Sequence, residues 1–212
     1  MGRSNRFQKI PGDIKVPKKV VIAGVGGVGS WLTLFLGQLM DESCYLDLYD
    51  PDEVEYSNLS RTPFMEWMVG MNKAYAMRFL LEMQNPMVDV KVHDYALTSR
   101  IMRSYYDDSW IVIDTTDALY SYGEYVGGID GKHVYFKFPA KGSIIFGEEG
   151  MRVEYSDYGV YNTPVVLLAL LYLEHIVRWR GKKKALIRFN IENLMKLGFE
   201  PPAPPKNGEG SE

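Results

Sequence analysis

Val20-Val21-Ile22-Ala23-Gly24-Val25-Gly26-Gly27-Val28-Gly29-Ser30 is the stretch that decides the fold. Its first four residues are apolar and mostly β-branched, the signature of a buried strand. The glycines after them satisfy G-x-G-x-x-G. Residues 30–40 then carry Trp31, Leu32, Leu34, Phe35, Leu36 and Leu39, an apolar band broad enough for a well-buried helix. Tyr45-Leu46-Asp47-Leu48-Tyr49-Asp50 reads as a second strand. Strand, glycine turn, helix, strand is a βαβ unit, whose strands run parallel.

The alternation continues outward from this unit. The pattern predicts a helix near residues 72–83, a strand at 88–92, a helix near 98–106 and a strand at 110–114. The fold class is therefore α/β: a Rossmann-like, mostly parallel sheet with helices on both faces. After Gly131 the pattern turns β-rich, at residues 133–138, 143–146 and 151–155, a smaller portion expected to be antiparallel or mixed. Thr163-Pro164 reads as an N-cap and a first helical proline, opening a long C-terminal helix to about Arg180. Residues 185–190 suggest one last strand. The expected organisation is an arm over 1–18, one domain over 19–198 and a disordered tail over 199–212, where prolines, glycines and charges leave almost nothing to bury.

Composition narrows the function classes. In 212 residues, 46% hydrophobic and 24% charged content describes a folded globular chain. A formal charge of −3 supplies no broad cationic surface, so no nucleic-acid partner is expected. The longest apolar run, Val165 to Leu173, falls short of the roughly 20 residues that cross a bilayer, so no membrane partner is expected either. The basic, polar start lacks the apolar centre of a signal peptide, and the lone Cys44 can build neither an internal disulfide nor a four-cysteine zinc site. A cytoplasmic location is the expectation.

The glycine loop carries the chemistry. Missing Cβ atoms at Gly24, Gly26, Gly27 and Gly29 permit a tight turn and bring a phosphate close to backbone N–H groups at a helix N-terminus. Asp50 stands 21 residues after Gly29, at the end of the next strand, where a carboxylate accepts hydrogen bonds from both ribose hydroxyls. The plainer alternative is that the glycines serve close helix-to-strand packing and Asp50 is a turn residue. NAD and ATP both present an adenosine and phosphates to such a loop, so these residues leave the two open. Asp50-Pro51-Asp52-Glu53-Val54-Glu55-Tyr56-Ser57-Asn58-Leu59-Ser60-Arg61 adds charged and amide groups at the same sheet edge. Lys73 opens the following helix, and Ile111 to Asp117 forms a buried strand ending in polar residues.

Here the sequence resembles the ubiquitin-activating enzyme superfamily, whose bacterial members include the ThiF and MoeB adenylyltransferases. The resemblance rests on Gly24 to Ser30, Asp50-Pro51-Asp52, Ser57-Asn58-Leu59-Ser60-Arg61, Gly70 to Lys73, Asn85-Pro86 and Asp114-Thr115-Thr116-Asp117, and extends to Thr163-Pro164 and Glu174. It implies an ATP-dependent adenylyltransferase that activates a carboxylate as an acyl-adenylate and releases pyrophosphate. The carboxylate would be the C-terminus of a ubiquitin-like or sulfur-carrier protein or a peptide. By the same resemblance Asp50 would hold the ribose, Asn58, Arg61 and Lys73 the phosphates, and Asp117 the Mg²⁺. Arg61, Lys73 and Asp117 would thus be the catalytic set. A carboxylate attacking a polyanion needs positioned cations, a need that Arg61 and Lys73 would meet. Each also has a plainer reading: solvated surface charge for Arg61 and Lys73, a helix cap for Asp117, a turn residue for Asn58.

Departures from the family pattern bear on mechanism. The region that in many relatives holds a thioester-forming cysteine contains none here, and the two Cys-x-x-Cys pairs of zinc-holding relatives are missing. The acceptor would then take the acyl group directly from the adenylate. Thr62 stands where relatives often have glutamine, and residues 127–163 are short for a loop covering a substrate tail. Asn5-Arg6-Phe7 resembles an arm that reaches a partner's ATP site, which would require a homodimer. A non-catalytic partner subunit and a nicotinamide-dependent oxidoreductase are the alternative readings.

Overall fold

The computed structural model describes residues 14–105, 109–117, 123–130, 133–138, 162–179 and 185–190. Among the described residues, four helices, α1 (Gly27–Leu39), α2 (Lys73–Gln84), α3 (Ser99–Met102) and α4 (Asn162–Glu174), accompany seven strands. The strands are β1 (Lys19–Ala23), β2 (Tyr45–Tyr49), β3 (Asp89–His93), β4 (Ile111–Asp114), β5 (Tyr125–Asp130), β6 (His133–Phe138) and β7 (Ala185–Asn190). They form one sheet in the order β3-β2-β1-β4-β5-β6-β7. From β3 to β5 all neighbours are parallel, and β5, β6 and β7 pair antiparallel.

Side-chain alternation divides the sheet into two covered faces. Val20, Ile22, Leu46, Leu48, Ile111 and Ile113 enter the large core shared with α1, α2 and α4. Val21, Tyr49 and Val112 point the other way, into a smaller cluster under Met102 of α3. The helices pack closely where side chains are small: a Cβ on Gly37 would collide with Leu81 of α2. α4 is fastened to the sheet by a buried tyrosine, for the Tyr172 hydroxyl donates to the Asp114 carbonyl at 2.8 Å.

Several sequence expectations meet a different local structure. α4 begins at Asn162, so Pro164 is its third residue rather than its first, still within the turn whose N–H groups need no intrahelical acceptor. Its regular part ends at Glu174, and His175–Trp179 forms a π turn. The helix expected near 98–106 is a single α turn, capped by the Thr98 hydroxyl accepting from Ile101 N–H, and a 3₁₀ turn over Arg103–Tyr105. β5 was not expected, because Gly127 and Gly128 are poor strand formers. Residues 14–18, placed by sequence at the end of the arm, lie against the body: Lys15 N–H donates to the Val177 carbonyl at 2.8 Å. The strands expected at 143–146 and 151–155, Arg6, and the tail lie outside the described residues. No helix among the described residues is long and apolar enough to cross a membrane.

Tyr172→Phe should lower stability by about 1 kcal/mol, and the melting temperature by about 2–4 °C, through loss of the hydroxyl bond to β4. A melting scan with an unchanged midpoint would show that this bond does not fasten α4.

Candidate active site

Connections from β1 run to β2 on one side and, through later crossovers, to β4 on the other. The crevice where the order reverses lies beyond the C-terminal ends of β1 and β4, the place open α/β sheets bind ligands. Gly24 leaves β1 there with φ of 83°, a left-handed conformation that suits glycine. It packs so tightly on β4 that a Cβ would sit 3.1 Å from the Thr115 carbonyl. The Thr115 hydroxyl lies 2.6 Å from the Gly24 carbonyl oxygen and 2.9 Å from that of Ala23. A Cβ on Gly29 would collide with the same Gly24 carbonyl, so α1 approaches the loop only because position 29 is glycine.

Gly26 and Gly27 serve a different purpose. A Cβ on Gly26 would meet nothing within 4 Å, leaving open space at the N-terminus of α1. The first-turn N–H groups of that helix and its dipole favour an anion there. Gly27 is flanked by Val165 of α4 and by the Arg61 stem, whose Cδ would stand 3.8 Å from an added Cβ. Arg61 is held against the loop from two sides. Trp31 Nε1 donates to its carbonyl at 2.9 Å, and its guanidinium donates through Nη1 to the Ser57 carbonyl at 2.6 Å.

Asp50 is buried beside the same loop. Oδ2 accepts from Val25 N–H at 2.7 Å and Oδ1 from Asp52 N–H at 2.9 Å, leaving each oxygen further acceptor capacity. Burial pushes its carboxyl above the usual aspartate range, opposed by those two hydrogen bonds and by the nearby Lys73 charge. Lys73 is itself largely buried, its side chain 12% exposed, and pairs at 2.9 Å with the exposed Asp52. Asn72 ties these parts together. Its Oδ1 caps α2, accepting from Ala74 and Tyr75 N–H, while Nδ2 donates to the Asp50 carbonyl at 2.8 Å.

The remaining sequence-predicted residues are placed less centrally. Asn58 is buried and its Oδ1 accepts from Glu55 N–H at 3.1 Å, closing a capped 3₁₀ turn over Tyr56–Asn58. Thr62 turns inward too, its hydroxyl 2.9 Å from the Asn58 carbonyl. Asp117 is exposed, past the end of β4. Among the described residues no group of three or more histidine, cysteine, aspartate or glutamate side chains could hold a metal. A lone carboxylate nevertheless fits Mg²⁺, which is commonly held by one or two carboxylates together with substrate phosphates. Cys44 is buried at the opposite end of β2, about 20 Å from Asp50 at 3.3 Å per residue, and burial pushes its thiol pKa up.

Trp31, Asn72 and Thr115 shape the site without having been singled out as site residues from sequence. Asn72 alone had a local signal, as a residue suited to cap the next helix. Behind Asp50, the Tyr105 hydroxyl donates to the buried Asp47 at 2.5 Å and Tyr49 stacks on His93 at 4.0 Å. The His93 carbonyl accepts the Asp50 N–H at 3.1 Å, so this cluster braces the strand end that presents Asp50. A separate cleft of about 440 Å³ touches Tyr45, Asp47, Asp89 and Lys91, toward the beginnings of β2 and β3, away from the crevice at the glycine loop.

Sheet order, glycine loop and buried acidic residue together define a doubly wound, nucleotide-binding type of α/β domain. Residues 15–122, about half the chain, match the ThiF family, and the chain belongs to that family. Ubiquitin-like modifier-activating enzyme 5 of Rattus norvegicus is 38% identical over 85 residues, 38% of this chain and 19% of that protein. The Caenorhabditis elegans protein of the same name is 33% identical over 104 residues, 47% of this chain and 22% of its own. The chain thus spans about a fifth of the length of these curated relatives. The crystal structure of E. coli MccB with ATP superposes with a TM-score of 0.58 at 18% identity, over 82% of this chain and 64% of that one. PaaA gives 0.53 at 17% identity, over 88% and 65%. These two likenesses show the shared fold.

Gly29→Ala should cost about 1–3 kcal/mol through backbone overpacking, read as a lower denaturation midpoint. Asp50 supplies a pH test. Because its folded pKa is raised, the stability it contributes is full below the unfolded value near 4 and is lost as pH rises through the folded value. On the ribose-holding role expected for Asp50 from the sequence, nucleotide affinity has the opposite sign: it should weaken as pH falls through that raised value, because the protonated carboxyl loses acceptor capacity. Asp50→Asn should bind more weakly and flatten this step; an unchanged pH profile in the variant would remove Asp50 from the site.

Proposed function

We propose that this protein binds ATP with Mg²⁺ and adenylates a carboxylate, the C-terminus of a ubiquitin-like or sulfur-carrier protein or of a peptide. The supporting observation is the placement of Arg61 against Gly27, across a loop with open space at Gly26 and with buried Asp50 and Lys73 at its other side. An adenosine ribose would take the free lone pairs of Asp50. Its phosphates would enter the open space above Gly26, within the field of the α1 N-terminus. Gly24 and Gly29 are committed to packing and would act by holding that loop in shape.

In the reaction a substrate carboxylate oxygen forms a bond to the α-phosphorus as the bond from that phosphorus to the bridging oxygen of pyrophosphate breaks. Negative charge moves onto the leaving pyrophosphate. Arg61 would offer a planar fork and Lys73 a point charge to phosphate oxygens. Lys73 would exchange Asp52 for phosphate, and Arg61 would keep its orientation through Trp31. Asp117 would hold Mg²⁺, which supplies charge neutralisation on the phosphates when bound, and Asn58 would support the phosphates from its turn. Orientation of the reactants is worth on the order of 7–11 kcal/mol without a proton-transfer group. Buried Cys44 is far from this crevice, so the acyl group would pass directly from the adenylate to its acceptor. A homodimer completes the reading, with Arg6 reaching the other copy's site.

ATP–pyrophosphate exchange with Mg²⁺ and candidate carboxylate partners tests the proposal. Exchange should appear with the right partner and fall by at least about 100-fold in Arg61→Ala, Lys73→Ala and Asp117→Ala. ATP binding with no exchange for any partner would favour a non-catalytic subunit. Stronger thermal stabilisation by NAD than by ATP with Mg²⁺ would favour an oxidoreductase, a reading in which Arg61 and Lys73 have no role.

A further inference from the structure

Lys73 stands where a cation is least at home. It is the first residue of α2, and its side chain is only 12% exposed. The positive end of a helix dipole disfavours a neighbouring cation, and the first turn of α2 holds no acidic residue to offset it. The ammonium and the first-turn N–H groups therefore make one spot that attracts an anion. Asp52 supplies that anion from outside the helix, 2.9 Å from Nζ.

The backbone beneath this pair is fixed on both sides. Residues 52–54 run antiparallel to 70–73. Lys73 N–H donates to the Asp52 carbonyl and Val54 N–H to that of Met71, both at 2.8 Å, and Gly70 N–H donates to the Val54 carbonyl at 2.9 Å. Asn72 Nδ2 adds a second bond to the Asp52 carbonyl at 3.1 Å, while Asp52 N–H donates to Asp50 Oδ1. Both backbone polar groups of Asp52 are thus engaged. Its side chain is 65% exposed, and among the described residues Lys73 is the one hydrogen-bond partner of its carboxylate. That carboxylate can leave by side-chain rotation alone, with no change in the turn that presents Asp50. A largely buried ammonium, by contrast, is costly without an anion beside it.

We propose that the Asp52 carboxylate is a resident anion that a nucleotide phosphate must displace from Lys73, so that Asp52 weakens the binding of phosphate-bearing ligands and reclaims the lysine when they leave. This rests on the phosphate role proposed for Lys73. A ligand without phosphate makes its bonds to Asp50 and leaves the pair intact. A polyphosphate carries more charge than one carboxylate and takes the lysine, at the expense of the existing ion pair. Asp52 thereby keeps Lys73 neutralised in the ligand-free chain and favours release of phosphate-bearing products.

Titration calorimetry of the full chain, with ATP and Mg²⁺ and separately with adenosine, tests the proposal. Asp52→Asn and Asp52→Ala should each tighten ATP binding about two- to fivefold, the range of a half-exposed ion pair, and leave adenosine binding unchanged. Circular dichroism should show both variants folded, since the backbone bonds of Asp52 remain. The gain should vanish when either change is made on Lys73→Ala, where no lysine is left to compete for. A gain that persists there would mean plain repulsion between Asp52 and phosphate and would overturn the proposal. Unchanged or weaker ATP binding in both single variants would overturn it too. Failure of the underlying reading is separable: Lys73→Ala made on Asp52→Asn would then leave ATP affinity unchanged, whereas it weakens ATP binding if only the competition is absent.

Discussion

The rest of the structure depends on a close approach between two backbones. Gly24, turning off β1 with a left-handed φ, rests on Thr115 at the end of β4, and Gly29 lets the first turn of α1 close over the Gly24 carbonyl. Thr115 adds its hydroxyl to the Ala23 and Gly24 oxygens. A single Cβ at position 29 could not be accommodated without moving the loop, the helix or the strand. Because these three elements bound the crevice, the same contact fixes the depth at which α1 presents its N–H groups.

The other site residues are hung from this contact by bonds of long sequence separation. Trp31, on α1, holds the backbone of Arg61 thirty residues later. Asp50 reaches back to Val25 in the loop, and Asn72 reaches back to Asp50 while capping α2. Buried polar groups of this kind are costly when left unmet and rigid when fully met. The buried carboxylate of Asp50 illustrates the balance: burial raises its pKa, while two backbone donors and a neighbouring lysine oppose that rise.

Much of this was legible in the sequence, for identifiable reasons. Val20-Val21-Ile22-Ala23 and Tyr45 to Tyr49 report their strands through burial on both faces, and a glycine run between a strand and a helix has few other uses. β5 was hidden by Gly127 and Gly128, which contribute no side-chain pattern, and its pairing with β4 is a property of the assembled sheet. Within the site, Asp50, Arg61 and Lys73 stood out by charge and position. Trp31 and Thr115 did not, since an indole in an apolar helix and a threonine after a strand resemble ordinary packing.

The bond from Val25 N–H to Asp50 has a thermodynamic consequence. One amide of the loop proposed for the phosphates and the carboxylate proposed for the ribose are the same hydrogen-bonded unit, 2.7 Å apart. On the proposed reading, a group bound at one half of the crevice would polarise the other half through this bond. In linkage terms, the nucleoside and polyphosphate portions of a ligand would not contribute independent free energies. Each would alter the other's affinity by the same factor, whichever arrived first.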